Sequence, residues 1–100
     1  MADDWQKKYR WRRTWQDEQD IDGKPFEDYC AFDGDMNAGR IRLDRESLKK
    51  GQWRWSGSYP PRFRGSPIMP NAGYSLSAAE AAKAVEDYWD RMKARTRTRS

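Results

Sequence analysis

The segment from Ser77 to Met92 constrains the fold of this 100-residue chain more than any other, because its pattern is that of an amphipathic helix. Ser77 and Glu80 form a capping box, in which two side chains satisfy free amides of the first helical turn. Apolar residues then recur at steps of three and four along one side, and they are Ala78, Ala82, Val85, Trp89 and Met92. A lone helix of this length is marginal in water, so we expect this side to be buried against the rest of the chain.

The charged residues of the same segment fall on the other side of the predicted helix, and they are Lys83, Glu86, Asp87, Asp90 and Lys93. An amphipathic helix turns its charged side to water. We therefore expect Glu86 and Asp90, a carboxylate pair at helical spacing, to be exposed to solvent. Exposed carboxylates lack the desolvation that acid and base catalysis requires, so this pair does not predict an active site.

The composition predicts a thin core built from a few large side chains. Only 36% of the residues are hydrophobic, but aromatic residues make up 14% of the chain and six residues are Trp. These rings must therefore supply most of the buried surface. One hundred residues fit a single domain, which we place at residues 8–94, with flexible tails at residues 1–7 and 95–100.

Residues 8–16 fit either a strand or a helix. Tyr9, Trp11 and Trp15 share the odd positions, so a strand places all three on one face, against the helix, with Arg13 as the exception. A helix instead places Tyr9 on a different side from Trp11 and Trp15. We favour the strand, because polar residues fill most of the positions between the rings.

Three further strand-like runs follow, at residues 27–32, 36–43 and 52–59. Asp33-Gly34-Asp35 between the first two predicts a hairpin turn. Prolines end the third run, and residues 60–74 are predicted to form a long loop that crosses to the helix. The fold class expected is α+β, an antiparallel three- to four-stranded meander with one C-terminal helix packed across one face. The pattern is compatible with the helix on either face.

The charge of the chain permits an anionic partner, since the formal net charge is +4. If the aromatic residues face the helix, pleating places six basic residues on the other sheet face, and they are Lys8, Arg10, Arg12, Arg40, Arg42 and Arg54. Such a face suits polyanion binding or an acidic protein. Solvated sheet faces also carry Lys and Arg to discourage aggregation, so the pattern fits both a binding surface and a surface that prevents aggregation.

Three apolar residues of the predicted crossing loop, Phe63, Ile68 and Met69, have no place in this core. Exposed apolar groups can mark contacts with partners. We therefore expect a small interaction module without catalysis, which binds a protein partner or a second copy of itself through this loop or the uncovered sheet face. The alternative is weak, sequence-independent nucleic-acid binding through the six basic residues.

Other functional classes find little support in the sequence. Histidine is absent, which removes the commonest general base and the commonest zinc ligand. Asp33, Asp35, Asn37 and Asp44 approach the spacing of calcium ligands. The glycine needed at the sixth position of such a loop is Ala38 here, and a hairpin turn accounts better for the aspartates. We predict no enzyme activity, no cofactor, no metal ion and no small-molecule substrate.

The single cysteine, Cys30, cannot form a disulfide within the chain, and it lies in an apolar run where we expect a small buried side chain. The first residues lack the apolar run of a signal peptide. No stretch approaches the length of a membrane span. We therefore expect a cytoplasmic protein without a membrane partner.

The order of these motifs resembles that of a loose group of short bacterial proteins without assigned function. The residues that carry the resemblance are Asp33-Gly34-Asp35, Gly39-Arg40-Ile41, Gly51-Gln52-Trp53-Arg54-Trp55 and the alanine-rich helix. The resemblance covers about residues 9–92 and implies the same order of elements, but no activity. The charged connection at residues 44–50 and the proline-rich loop depart from the pattern of the group.

Overall fold

The computed structural model describes residues 7–19, 21–45 and 47–98. In chain order its elements are β1 (Arg10–Arg13), β2 (Asp28–Asp33), β3 (Met36–Leu43), β4 (Trp53–Gly57), β5 (Ala72–Ser75) and α1 (Ala78–Thr98). The strands form one antiparallel sheet in which they follow each other in chain order, and α1 packs across one face. The predicted α+β class is confirmed, but the sheet has five strands and not three or four.

The helix continues past Met92, where the apolar pattern ends, to Thr98. The hydroxyl of Thr96 donates a hydrogen bond of 2.8 Å to the carbonyl oxygen of Met92 in this last part. Within the described residues, no helix is both long enough and apolar enough to cross a bilayer. Residues 1–6 and 99–100, which belong to the predicted tails, lie outside the described residues.

The strand interpretation of residues 8–16 is confirmed for Arg10–Arg13, which form β1 and pair antiparallel with β2. Arg13, the exception on the aromatic side, lies over the ring of Tyr29 with its guanidinium carbon 5.2 Å from the ring centre. Ring faces attract guanidinium groups, which explains a cation at this position. Trp15 lies beyond the end of β1 and is 44% exposed, so its predicted place against the helix is wrong.

The fifth strand, β5, lies in the segment that the sequence predicts to be a loop. Its residues, Ala-Gly-Tyr-Ser, include few with strand propensity, but its backbone pairs with β4 and places Gly73 opposite Trp55. A Cβ atom added to Gly73 would lie 2.9 Å from the indole Nε1 of Trp55. β5 therefore forms because β4 offers an edge and the glycine leaves room for the indole.

The predicted hairpin joins β2 and β3, and Gly34 in its turn has a φ of 62°. Asp33 Oδ2 accepts hydrogen bonds from the indole Nε1 of Trp89 and from Lys93 Nζ, each 2.9 Å long. These bonds hold the pKa of the Asp33 carboxyl below its usual value. Asp33 in the turn thus holds the second half of α1 against the sheet.

The apolar side of α1 packs against the sheet as predicted, and Val85, Tyr88 and Trp89 are fully buried. The sheet backbone approaches the helix at two glycines. A Cβ atom on Gly39 would lie 2.5 Å from Val85 Cγ1, and one on Gly57 would lie 2.4 Å from Tyr88 Cδ1. Real Cβ atoms do not approach other atoms this closely, so glycine at both positions permits the close packing of the two layers.

The crossing loop supplies a second core cluster, in which Phe63 is buried and packs with Tyr88 and Met92. Ile68 packs against this cluster, and its carbonyl oxygen accepts a hydrogen bond of 2.8 Å from the Tyr88 hydroxyl. The prediction that Phe63 and Ile68 lack a core role is therefore wrong, because the flank of α1 buries apolar groups beside the sheet. Met69 is 68% exposed.

Glu86 lies in the interior, and its predicted exposure to solvent is wrong. Its carboxylate accepts hydrogen bonds from the backbone amides of Lys8 and Tyr9, at 3.1 and 3.2 Å, and from the indole Nε1 of Trp11 at 3.0 Å. One turn later, Asp90 accepts a hydrogen bond from the Tyr9 hydroxyl and pairs with the Lys8 ammonium. The chain that leads into β1 thus covers the flank of α1 that the charge pattern assigns to water.

Candidate functional site

The sheet face that α1 leaves uncovered is here named the open face. The strand residues on it include Arg10, Arg12, Asp28, Cys30, Phe32, Arg40, Arg42, Arg54, Ser56 and Tyr74. Alternation along each strand places them there, because their neighbours Trp11, Ile41 and Trp55 pack toward the helix. All five arginines of the predicted polyanion site therefore share one surface.

Lys8, the sixth residue of that predicted site, lies apart from the arginines. It precedes β1, and its ammonium pairs with Asp90 on α1. The hydrogen bond to Asp90 raises the pKa of the Lys8 ammonium above its usual value. The charge of Lys8 is thus paired with Asp90 on α1. Of the six basic residues predicted for the site, the five arginines remain on the open face.

Three of the arginines meet around a hollow of about 300 Å³ that is lined by Arg40, Arg42, Arg54 and Ser56. Strand register brings them together, since Arg42 lies directly opposite Arg54 and Arg40 lies opposite Ser56. Like charges that face each other across two antiparallel strands repel. An anion bound there would offset this repulsion, and the Ser56 hydroxyl at the wall of the hollow is a further hydrogen-bond donor.

Asp28 holds one arginine of the hollow in place. Its carboxylate, 6% exposed as a residue, accepts a hydrogen bond of 2.7 Å from Arg40 Nε and pairs with the same guanidinium through a second nitrogen. Burial raises the pKa of the Asp28 carboxyl, but the bonds from Arg40 and Thr14 outweigh this effect and lower it overall. Arg40 is therefore oriented and partly neutralised, while Arg42 and Arg54 carry most of the attraction for an anion.

Two aromatic rings also lie on the open face, and each is paired with a guanidinium. The guanidinium carbon of Arg10 lies 5.5 Å from the ring centre of Phe32, and that of Arg54 lies 5.8 Å from the ring centre of Tyr74. Lys49 Nζ approaches the Tyr74 ring to the same distance, 5.8 Å. Rings and guanidinium planes are both surfaces on which flat groups stack.

The sequence pattern does not identify these two rings as parts of a site. Tyr74 falls in the segment predicted to be a loop, so its face could not be assigned before β5 was known. Phe32 lies two residues from Cys30 in β2 and next to the buried Ala31, so it shares the face of Cys30. The alternation of β2 is the signal that identifies Phe32 as a residue of the open face.

A second concave site, of about 350 Å³, lies on the other side of the sheet at the first turns of α1. Trp11, Tyr29 and Trp53 line it, beside helix alanines whose short side chains leave the space. The carboxylate of Glu27 at this site accepts a hydrogen bond of 3.0 Å from the Tyr29 hydroxyl, so these two polar groups satisfy each other. The site is chiefly apolar, and Lys7 and Glu27 are the charged residues that line it.

The open face provides positive charge and ring surfaces. Among the described residues, no group of three or more Cys, Asp or Glu side chains is placed to hold a metal ion, and the chain has no histidine. Arg40 keeps the carboxylate of Asp28 ionised, which makes it a poor proton donor at neutral pH. The arrangement therefore suits the binding of anions better than proton transfer. No protein-family model, curated protein or solved structure matches the chain.

Proposed function

We propose that this protein is a non-catalytic binding module whose open face holds the phosphate groups of nucleic acid without reading base sequence. The observation that carries the proposal is the direct opposition of Arg42 and Arg54, with Arg40 in the same hollow. Guanidinium groups bind phosphate through paired, charge-assisted hydrogen bonds. Because the hollow presents these donors to solvent on a broad surface, a long polyanion can reach them.

The charge of the surrounding surface supports the same ligand class. Asp28 is the carboxylate among the strand residues of the open face, and it is nearly buried against Arg40. Arg10 and Arg12 on β1 extend the positive surface to the sheet edge. Contacts of this kind depend strongly on salt, because each neutralised phosphate releases counterions. Three phosphate contacts give a log–log slope of about −2.7 on duplex DNA.

An amide-shift titration of the labelled protein with short DNA and RNA tests this function. We expect the shifts to cluster in β3 and β4 at low salt and to vanish at moderate salt. Arg42→Glu should weaken binding, whereas Arg62→Glu, the same charge change on an exposed loop residue, should have little effect. If no amide moves at low salt, or if the two variants weaken binding equally, the open face is a solubility surface and the proposal fails.

A second candidate function concerns Met69, one of several exposed apolar side chains. This side chain is 68% exposed in a loop whose neighbouring apolar residues, Phe63 and Ile68, pack into the core. We propose that a protein partner or a second copy of the chain contacts Met69. Sedimentation at several concentrations tests self-association, and Met69→Ser should abolish any concentration dependence. If the protein stays monomeric at high concentration, self-association through Met69 is excluded. If Met69→Ser still retains its bound protein partners, a partner contact at Met69 is excluded.

A further inference from the structure

We infer that the nucleic acid bound by the open face is single-stranded, and that unpaired bases stack on the pairs Arg10–Phe32 and Arg54–Tyr74. This inference rests on the proposed function, because it concerns the class of nucleic acid that the same surface takes. It follows from where the two ring pairs lie relative to the arginine hollow. The geometry of the sheet fixes that relation.

The two ring pairs lie at opposite corners of the open face. Phe32 is near the hairpin end of β2, whereas Tyr74 lies in β5, in the same cross-strand row as Arg42 and Arg54. At about 4.8 Å between strands and about 3.4 Å per residue along them, the two rings are about 20 Å apart. Arg40, Arg42 and Arg54 lie between these corners.

A single strand laid along this diagonal can use every part of the surface at once. Its phosphates pass over the hollow while its bases reach the ring pairs at either end. The diagonal accommodates about six nucleotides at the duplex rise of 3.4 Å per nucleotide, and fewer in an extended strand. The basic groove and the stacking rings together are the features by which proteins hold single strands without sequence preference.

A duplex can use only part of the same surface. Its bases are already stacked and paired, so it presents phosphates to the hollow and nothing to the rings. Tyr74 is 37% exposed, and Arg54 lies over its ring with a guanidinium plane that can also support a base. The rings therefore add affinity for unpaired bases and add none for a duplex or for a polyanion without bases.

Calorimetric titration with three probes tests the inference, and the probes are a mixed-sequence single strand of 12 nucleotides, the matching duplex and inorganic polyphosphate. The variants are Phe32→Leu and Tyr74→Leu, which keep an apolar side chain but remove the ring. We expect each to weaken single-strand binding by about 5- to 100-fold. Their binding of polyphosphate should equal that of the unaltered protein, which also shows that the hollow is intact.

Tyr59→Leu is the matched control. Tyr59 is 46% exposed, but its ring packs against Phe63 with centroids 5.5 Å apart, away from the open face. We expect this variant to bind all three probes normally. If the single strand and the duplex bind equally well and the ring variants change neither, the inference is overturned while the proposed function stands. If none of the three probes binds at low salt, the proposed function fails and the inference fails with it.

Discussion

The indole Nε1 of Trp11 donates a hydrogen bond of 3.0 Å to the carboxylate of Glu86, which ties the first strand of the sheet to the middle of the helix. The backbone amides of Lys8 and Tyr9 donate to the same buried carboxylate. A buried charge is stable only when several donors surround it. Glu86 therefore accepts the hydrogen bonds that hold β1 and the residues before it against α1. Its position in the sequence is nevertheless typical of a surface residue.

The first prediction concerns this carboxylate. Glu86→Ala leaves three donors without their acceptor, and we expect it to lower the free energy of unfolding by about 3 kcal/mol. The control is Asp87→Ala on the same helix, where the exposed carboxylate lies 3.4 Å from Lys83. That variant should cost about 0.5 kcal/mol or less. Urea unfolding measures both, and equal losses would show that Glu86 does not support β1.

The second prediction concerns the largest buried side chain of the helix. Trp89 is fully buried, so Trp89→Ala should lower the free energy of unfolding by about 3 to 5 kcal/mol. Lys83→Ala, on the exposed flank, should change it by about 0.5 kcal/mol or less. Thermal unfolding followed by circular dichroism compares the two. Similar melting temperatures for both variants would contradict the packing of α1 described above.

The apolar half of the helix could be predicted from sequence, but the role of its charged half could not. Periodicity reports which side of a helix is apolar, and it placed Val85, Trp89 and Met92 in the core correctly. It cannot report that a distant backbone segment crosses the charged flank. The pattern therefore predicts an exposed Glu86, since the donors that bury it lie more than 70 residues away in the chain.

The fifth strand, β5, could not be predicted from sequence for a related reason. Alternating rings predict β1 and β4, the Asp-Gly turn predicts β2 and β3, and the arginines of the open face follow from alternation along these strands. β5 carries almost no local signal, because its pairing depends on the free edge of β4 and on the space at Gly73. The ring of Tyr74, and with it half of the stacking surface, became visible only once that pairing was known.

The third prediction concerns the close approach of the two layers at Gly57. A methyl group there would lie 2.4 Å from the Tyr88 ring, so Gly57→Ala forces the ring or the strand to move. We expect a loss of about 1 to 3 kcal/mol in the free energy of unfolding. Ser56→Ala, the preceding residue on the open face, should stay within about 0.5 kcal/mol of the unaltered protein. A Gly57→Ala variant of normal stability would exclude this contact.

The fourth prediction concerns acid. Hydrogen bonds from Trp89 and Lys93 hold the pKa of Asp33 below its unfolded value, so their contribution is fully present above about pH 4. It is lost as the pH falls from there through the folded pKa. Asp33→Asn should be less stable by about 1 kcal/mol at pH 7, and the difference should shrink below about pH 4. A constant difference across this range, measured by urea unfolding, would show that the charge of Asp33 is not responsible.

The fifth prediction concerns the carboxylate on the open face. Asp28→Asn removes the negative charge that pairs with Arg40 and keeps a side chain of the same shape. We expect binding of inorganic polyphosphate at low salt to tighten by about fivefold, because the guanidinium becomes available to the anion. Asp35→Asn makes the same charge change in the exposed hairpin turn and should tighten binding less. Unchanged or weaker binding by Asp28→Asn would argue against an anion in the hollow.

The bond between Trp11 and Glu86 also bears on how the chain folds during synthesis. The ribosome makes all five strands before it makes the helix, so the donors at Lys8, Tyr9 and Trp11 emerge long before their acceptor. Until Glu86 and Trp89 have been made, the aromatic side chains of the strands lack the helix that covers them, and the donors at the first strand lack their acceptor. Exposed apolar faces of this kind attract chaperones and promote aggregation. Folding of this domain is therefore completed only after α1 has been made and can cover the helix-facing side of the sheet.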